Sequence, residues 1–177
     1  MTDNFILEGI QKFLQQKVCP KIELLKPNDK DIEEYRRVNP VVHIGWIPPK
    51  LPEELMTREP IQDVPCIIVG IDEGEDDGQE AGLGIRISFV VYSPGQYNVF
   101  GELASSFDGY RDLINLIMLT RLEVSKAYMI EGITAMEKPY KWGMYQDQAY
   151  PYWQGWFTFK ATCPVIDVIR SINEQYE

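Results

Sequence analysis

Apolar residues recur along this chain with two different periods, and the switches between them mark its elements. Over residues 3 to 18, Ile6, Ile10, Phe13, Leu14 and Val18 fall at steps of three and four, which makes one stripe of an amphipathic helix. Asp3 can cap its start, and Cys19-Pro20 ends it. Val64 to Ile71 is a continuous apolar run, the pattern of a strand buried on both faces, with Pro65 near its start. Ile85, Ile87, Phe89 and Val91 then alternate with Arg86, Ser88, Val90 and Tyr92, a period of two that predicts a second strand. From Phe107 to Tyr128 the period returns to that of a helix. Leu113, Ile117, Val124 and Ala127 mark one face, with Asp108 as the expected N-cap. Ile114, Leu116, Met118, Leu119 and Leu122 widen the apolar surface well beyond one stripe, so this helix should be covered on two sides. Met129 to Met136 and Trp153 to Thr162 read as two further strands. Val165, Val168, Ile169 and Ile172 predict a short closing helix with Pro164 in its first turn.

Residues 20 to 60 break both periods. Seven of the twelve prolines lie here, so the segment should run extended, apart from a turn or two of helix around Asp31 to Arg37. Its Val41, Val42, Ile44, Trp46 and Ile47 are more apolar than a solvated linker needs. The arm is therefore expected either wrapped on its own domain or laid against a neighbour. The order helix, arm, hairpin, helix, two strands, helix predicts an α+β fold. Its expected form is one mostly antiparallel sheet of about four strands, with a central helix and N- and C-terminal helices packed on it. At 177 residues, a single domain is the expectation.

Charge adds one local feature. The formal net charge is -10, but Asp72, Glu73, Glu75, Asp76, Asp77 and Glu80 place six carboxylates in nine residues, and the rest of the chain is only mildly acidic. The balance argues against a nucleic-acid-binding domain, which needs a basic footprint. The stretch Asp72 to Gly84 is expected to be a solvated acidic hairpin loop. As a calcium site it fits poorly: a twelve-residue loop starting at Asp72 puts Gly74 at the third position and Asp77 where the glycine should be. Cys19, Cys66 and Cys163 are odd in number and far apart, so neither a disulfide framework nor a zinc ribbon is indicated, and a reducing compartment is the default. The polar start Met-Thr-Asp-Asn predicts no signal peptide, and no apolar run is long enough to span a membrane.

Catalytic motifs are missing. His43 is the single histidine, there is no Gly-x-Ser-x-Gly, and Gly82-Leu-Gly84 precedes a strand rather than joining a strand to a helix. The chain is therefore expected to be no enzyme, with no catalytic residues, metal ligands or cofactor. Tyr140, Trp142, Tyr145, Tyr150, Tyr152, Trp153 and Trp156 form an aromatic-rich stretch. Such rings suit a subunit interface, with stacking on sugars in a carbohydrate-binding or hydrolytic domain as the alternative.

Three segments carry a resemblance. Phe107-Asp108-Gly109-Tyr110-Arg111-Asp112-Leu113-Ile114-Asn115-Leu116-Ile117 resembles the start of the central helix in small neck and tail-completion proteins of long-tailed bacteriophages and prophages. Val64-Pro65-Cys66-Ile67-Ile68-Val69, followed by an acidic loop and an alternating strand, is similar to the same group. So is Tyr150-Pro151-Tyr152-Trp153-Gln154-Gly155-Trp156 before a last strand. The likeness covers roughly residues 60 to 165, and the arm has no counterpart in it. It implies a tail terminator: a hexameric ring on the last ring of tail-tube subunits that stops tube growth and meets the head connector. The expected partners are copies of itself, the tube protein and the connector, with DNA only as passing cargo and no membrane. The expected location is the virion neck, after synthesis in the host cytoplasm. A head-tail joining protein or a tube subunit is the nearest alternative. A ring needs a heterologous interface that closes, for which the long helix and the aromatic stretch are candidates. The six carboxylates would then line the channel and repel phosphate.

Overall fold

The computed structural model describes residues 3–27, 36–47, 62–97, 100, 102–104, 106–130 and 132–165. The elements in chain order are α1 (Asp3–Lys17), a 3-10 turn (Cys19–Lys21), β1 (Leu24–Leu25), β2 (Arg37–Val38), β3 (Val41–Ile44), β4 (Cys66–Asp76), β5 (Ala81–Tyr92), β6 (Gln96–Tyr97), β7 (Leu103–Ala104), α2 (Asp108–Ala127), β8 (Met129–Ile130), β9 (Thr134–Met144) and β10 (Tyr152–Cys163). Six strands form one sheet in the order β3-β4-β5-β10-β9-β8, and β1-β2 and β6-β7 form two small ribbons. All neighbours in the large sheet are antiparallel except β3 and β4, which are parallel.

The fold is α+β, but the expected form, one sheet of about four strands with a central helix and N- and C-terminal helices packed on it, is wrong. The sheet has six strands, is mixed and curls. The described residues hold two α-helices, of which α2 packs on one face of the sheet. Each difference has a physical source. Proline content masked β3, although Val41 to Ile44 itself contains no proline and pairs with Cys66 to Val69. The run Met129 to Met136 splits at Gly132, where φ is +72°, into β8 and the start of β9. β9 then continues to Met144 through Glu137, Lys138, Pro139 and Lys141, which strand preferences disfavour. The charged side chains lie exposed, and Pro139 falls where the pairing with β10 shifts register. Residues 166–177, with Val168, Ile169 and Ile172 of the expected closing helix, lie outside the described residues, as does most of the helical turn expected at Asp31 to Arg37.

Asp72 to Gly84 is not a loop throughout. β4 runs on to Asp76 and β5 starts at Ala81, leaving only a four-residue turn. Carboxylates build that turn. Asp77 Oδ1 accepts from the N–H groups of Gln79 and Glu80, both at 2.8 Å, and Asp76 Oδ1 accepts from Gly78 N–H at 2.9 Å.

One face of the sheet makes the core. Ile67 and Val69 of β4, Ile85, Ile87, Phe89 and Val91 of β5, and Phe157, Phe159 and Ala161 of β10 are buried on it. Burying each of the larger side chains contributes roughly 1.5–3 kcal/mol. α1 adds Ile6, Ile10, Phe13 and Leu14, and it touches both β3 and β8, the two edges of the sheet. The sheet is thus curled far enough for one helix to reach both edges. Gln11 Nε2 donates to the Val42 carbonyl at 2.8 Å, fixing α1 to β3. α2 packs over β5 and β10, and one close approach is at Gly155. A Cβ there would sit 2.9 Å from Ile117 Cδ1 and 3.0 Å from the Gly143 carbonyl oxygen. The helix lies at this height because the strand has no side chain beneath it.

Glu123 ties the N-terminal elements to α2. Its side chain is only 9% exposed, and it pairs at 2.9 Å with both Lys21 and Lys126. Their hydrogen bonds, that of Lys126 foremost, hold the carboxyl below the usual glutamate value.

Gly155→Val should cost about 1–3 kcal/mol in urea unfolding, because the new atoms meet backbone as well as side chain. Gly70→Ala, where a Cβ meets nothing within 4 Å, should be close to neutral. A depressed carboxyl contributes stability that is present above its unfolded pKa and lost as pH falls through its folded one. Glu123→Gln should therefore lower the unfolding midpoint near neutral pH and leave it closer to wild type in acid, as read from urea curves at both pH values.

Candidate functional site

Because strand side chains alternate, the face of β5 opposite the core carries Arg86, Ser88, Val90 and Tyr92. Strand pairing sets Ser88 against Trp156 and Ile68, Val90 against Gln154 and Cys66, and Tyr92 against Tyr152. This outer face holds a polar and aromatic cluster. Arg86 Nε donates to both oxygens of Asp72, at 2.7 and 2.8 Å, and Nη2 lies 2.6 Å from Oδ2. The guanidinium also stands 5.5 Å from the centre of the Trp156 ring. Its pKa is raised chiefly by the hydrogen bonds to Asp72. Ser88 Oγ and the Tyr145 hydroxyl are 3.2 Å apart. The β9–β10 connection that carries Tyr145 is pinned by Gln148, which donates to the Gln154 carbonyl (2.9 Å) and accepts from Gln154 N–H (2.6 Å).

An open groove of about 460 Å3 lies on this face. Its floor is Ile68, Gly70 and Val90. Tyr145 and Gln154 stand on one side, and the turn after β3, with Gly45 at φ +76° and Trp46, stands on the other. Asp72, Arg86 and Ser88 supply its polar groups.

The seven aromatic residues expected at an interface do not form one patch. Tyr145, Tyr152 and Trp156 are on the outer face. Tyr140 packs edge-on against Phe157 and Phe159, and Trp153 against Tyr110, on the core side. Trp142 lies beside α2, with the Arg121 guanidinium 3.1 Å above its ring centre. Tyr150 is in the connecting turn, and its hydroxyl donates to the Pro94 carbonyl. The six carboxylates are also divided. Asp72 pairs with Arg86 and Glu75 with Lys160 at 3.5 Å, while Asp76 and Asp77 build the turn. Backbone N–H groups, that of Glu80 foremost, hold the Asp77 carboxyl below its usual value. Glu75, Asp77, Glu80 and Lys160 also border a second cavity, of about 380 Å3. Among the described residues no three His, Cys, Asp or Glu side chains are grouped to hold a metal ion. His43 is buried, and its Nε2 donates to the Gln62 carbonyl at 3.1 Å, so it serves packing. Burial pushes the Cys19 and Cys66 thiols up to about 12, the state of inert core cysteines.

Sequence reasoning did not single out Arg86, Ser88, Gln154 or Trp46. The available signal was the polar set of the alternating strand, which on a sheet with one covered face marks the free one.

A second exposed surface runs along α2. Phe107, Tyr110, Ile114, Met118 and Leu122 recur at steps of three and four and are all exposed, Phe107 at 77% and Met118 at 57%. Leu113, Leu116, Ile117 and Val124 occupy the opposite, buried side. Among the described residues the helix is covered on one side, where cover on two was expected. Beside the stripe, Arg121 Nε is buried without a hydrogen-bond partner. No helix among the described residues is long and apolar enough to cross a membrane.

The Asp72–Arg86 pair is bidentate but about a third exposed on each side. Its coupling in an Asp72→Asn/Arg86→Gln double-mutant cycle, measured by urea unfolding, should stay within about 1 kcal/mol. No family model matches the chain, and no curated protein matches it by sequence.

Proposed function

We propose that this protein is a structural component of a long-tailed phage or prophage virion: a tail terminator that closes into a ring on the tail tube and joins it to the head connector. The observation that carries the reading is the uncovered apolar stripe of α2, from Phe107 to Leu122. A domain that works alone rarely leaves so long a contiguous apolar surface in water. Tyr, Trp, Met and Arg are the residue types enriched where proteins meet, and Tyr110, Trp142, Met118 and Arg121 all stand in or beside the stripe. The three segments that resemble neck proteins include the first half of this helix.

In this reading the stripe docks on a different surface of the next copy, since a ring is built from heterologous contacts that close. The outer-face aromatics Tyr145, Tyr152 and Trp156 supply that second surface. The β4–β5 hairpin, with ten consecutive exposed residues from Ile71 to Glu80, faces the channel. Its carboxylates repel DNA phosphates during passage. The tube protein and the connector bind the two rims, and no cofactor takes part.

Electron microscopy of the purified protein mixed with tail tubes tests the reading. Sixfold rings, or tubes capped at one end, are expected. Met118→Asp with Leu122→Asp should abolish both while leaving the circular dichroism spectrum of the monomer unchanged. Long tubes formed by this protein alone would make it a tube subunit instead. A chain that neither rings nor caps would overturn the proposal.

A further inference from the structure

The groove on the outer face has the makings of a ligand site, and its lining decides the class of ligand. Its size is that of sites for small molecules. Its floor is bare because of one residue. Gly70 leaves the space above it unfilled, and a Cβ there would meet nothing within 4 Å. Trp46, on the wall, is 80% exposed, an indole held in water by a turn rather than buried in the core.

The polar groups narrow the ligand further. Arg86 is the cation of the groove, and Asp72 already neutralises it through three short contacts. An anion would therefore gain little there. The groove still offers groups that donate and accept together: the Ser88 and Tyr145 hydroxyls and the Gln154 carboxamide. Each Asp72 oxygen retains further acceptor capacity beyond its bonds to Arg86. A neutral ligand with one flat C–H face and a rim of hydroxyls satisfies both halves. The electron-rich face of an indole attracts the weakly positive C–H groups of such a ring.

We infer that this groove binds a neutral saccharide, with a pyranose ring stacked on Trp46 and its hydroxyls held by Asp72, Ser88 and Gln154. The inference goes beyond ring assembly and is tested on the free monomer, because a neighbouring copy docked on Tyr145 would stand at the groove wall. In the monomer, saccharide binding can be found or lost whatever the outcome of the ring experiment.

The test uses the full chain and a panel of neutral disaccharides, namely maltose, cellobiose, lactose and chitobiose, with glucose 6-phosphate as an anionic comparison. Binding is read from the indole N–H resonance of Trp46 and by calorimetry. At least one disaccharide should shift that resonance saturably, and the sugar phosphate should bind more weakly. Trp46→Ala should weaken the interaction by roughly tenfold. Gly70→Leu, which fills the floor, should abolish it. Trp46 is exposed, so its variant keeps the fold and decides the question even if Gly70→Leu is unstable. A silent panel, tighter binding of the sugar phosphate, or binding unchanged in Trp46→Ala would overturn the inference. A groove that answers only to peptides would do the same.

Discussion

Twelve consecutive residue pairs, from Tyr152 against Tyr92 to Cys163 against Ala81, hold β10 to β5 without a bulge. Everything else depends on this register. It brings Phe157 beside Ile87 and Phe159 beside Ile85 in the core, and Trp156 beside Ser88 on the outside. A slip of β10 by one residue would turn Gln154, Trp156 and Lys160 inward and expose Phe157 and Phe159. The cost would be several buried side chains and an unpaired buried cation, which no other contact offsets. The two candidate surfaces therefore have fixed places relative to one another, on opposite faces of the same strand pair.

The sheet edges show a division of labour. β3 covers only the first part of β4, from Cys66 to Val69, and α1 is bonded to it through Gln11. Beyond Val69 the strand carries Asp72, Glu73, Glu75 and Asp76. Charges placed along an exposed strand discourage edge-to-edge pairing with other chains. The acidic cluster thus has a local physical role, in turn building and edge protection, besides any part it plays in a channel.

The legible parts of the fold were those with one strong period. α1, β5, β10 and α2 could each be placed from apolar spacing, because one face of each is buried and the rest is not, and β4 from its unbroken apolar run. β3 could not, since three apolar residues and a histidine between prolines are too short to show a period. β9 could not, because its exposed face is charged and Pro139 interrupts its pairing. The aromatic stretch was visible as composition, but the sorting of Trp153 inward and Trp156 outward depends on strand register, which only long-range pairing sets. The groove was not legible at all. It joins Trp46, Gly70, Arg86, Tyr145 and Gln154, residues from five separate segments, and Gly70 contributes to it by lacking a side chain.

The position of β10 between β5 and β9 also governs the order in which the sheet can form. β10 follows every other strand in sequence, and its partner β5 lies some 60 to 80 residues upstream. While the chain is being made, β5 and β9 therefore emerge with the strand that separates them still missing. Each then presents an open edge and an apolar face. Contacts this distant in sequence close slowly, so the nascent chain has an interval in which strand pairing with other molecules competes with completion of its own sheet.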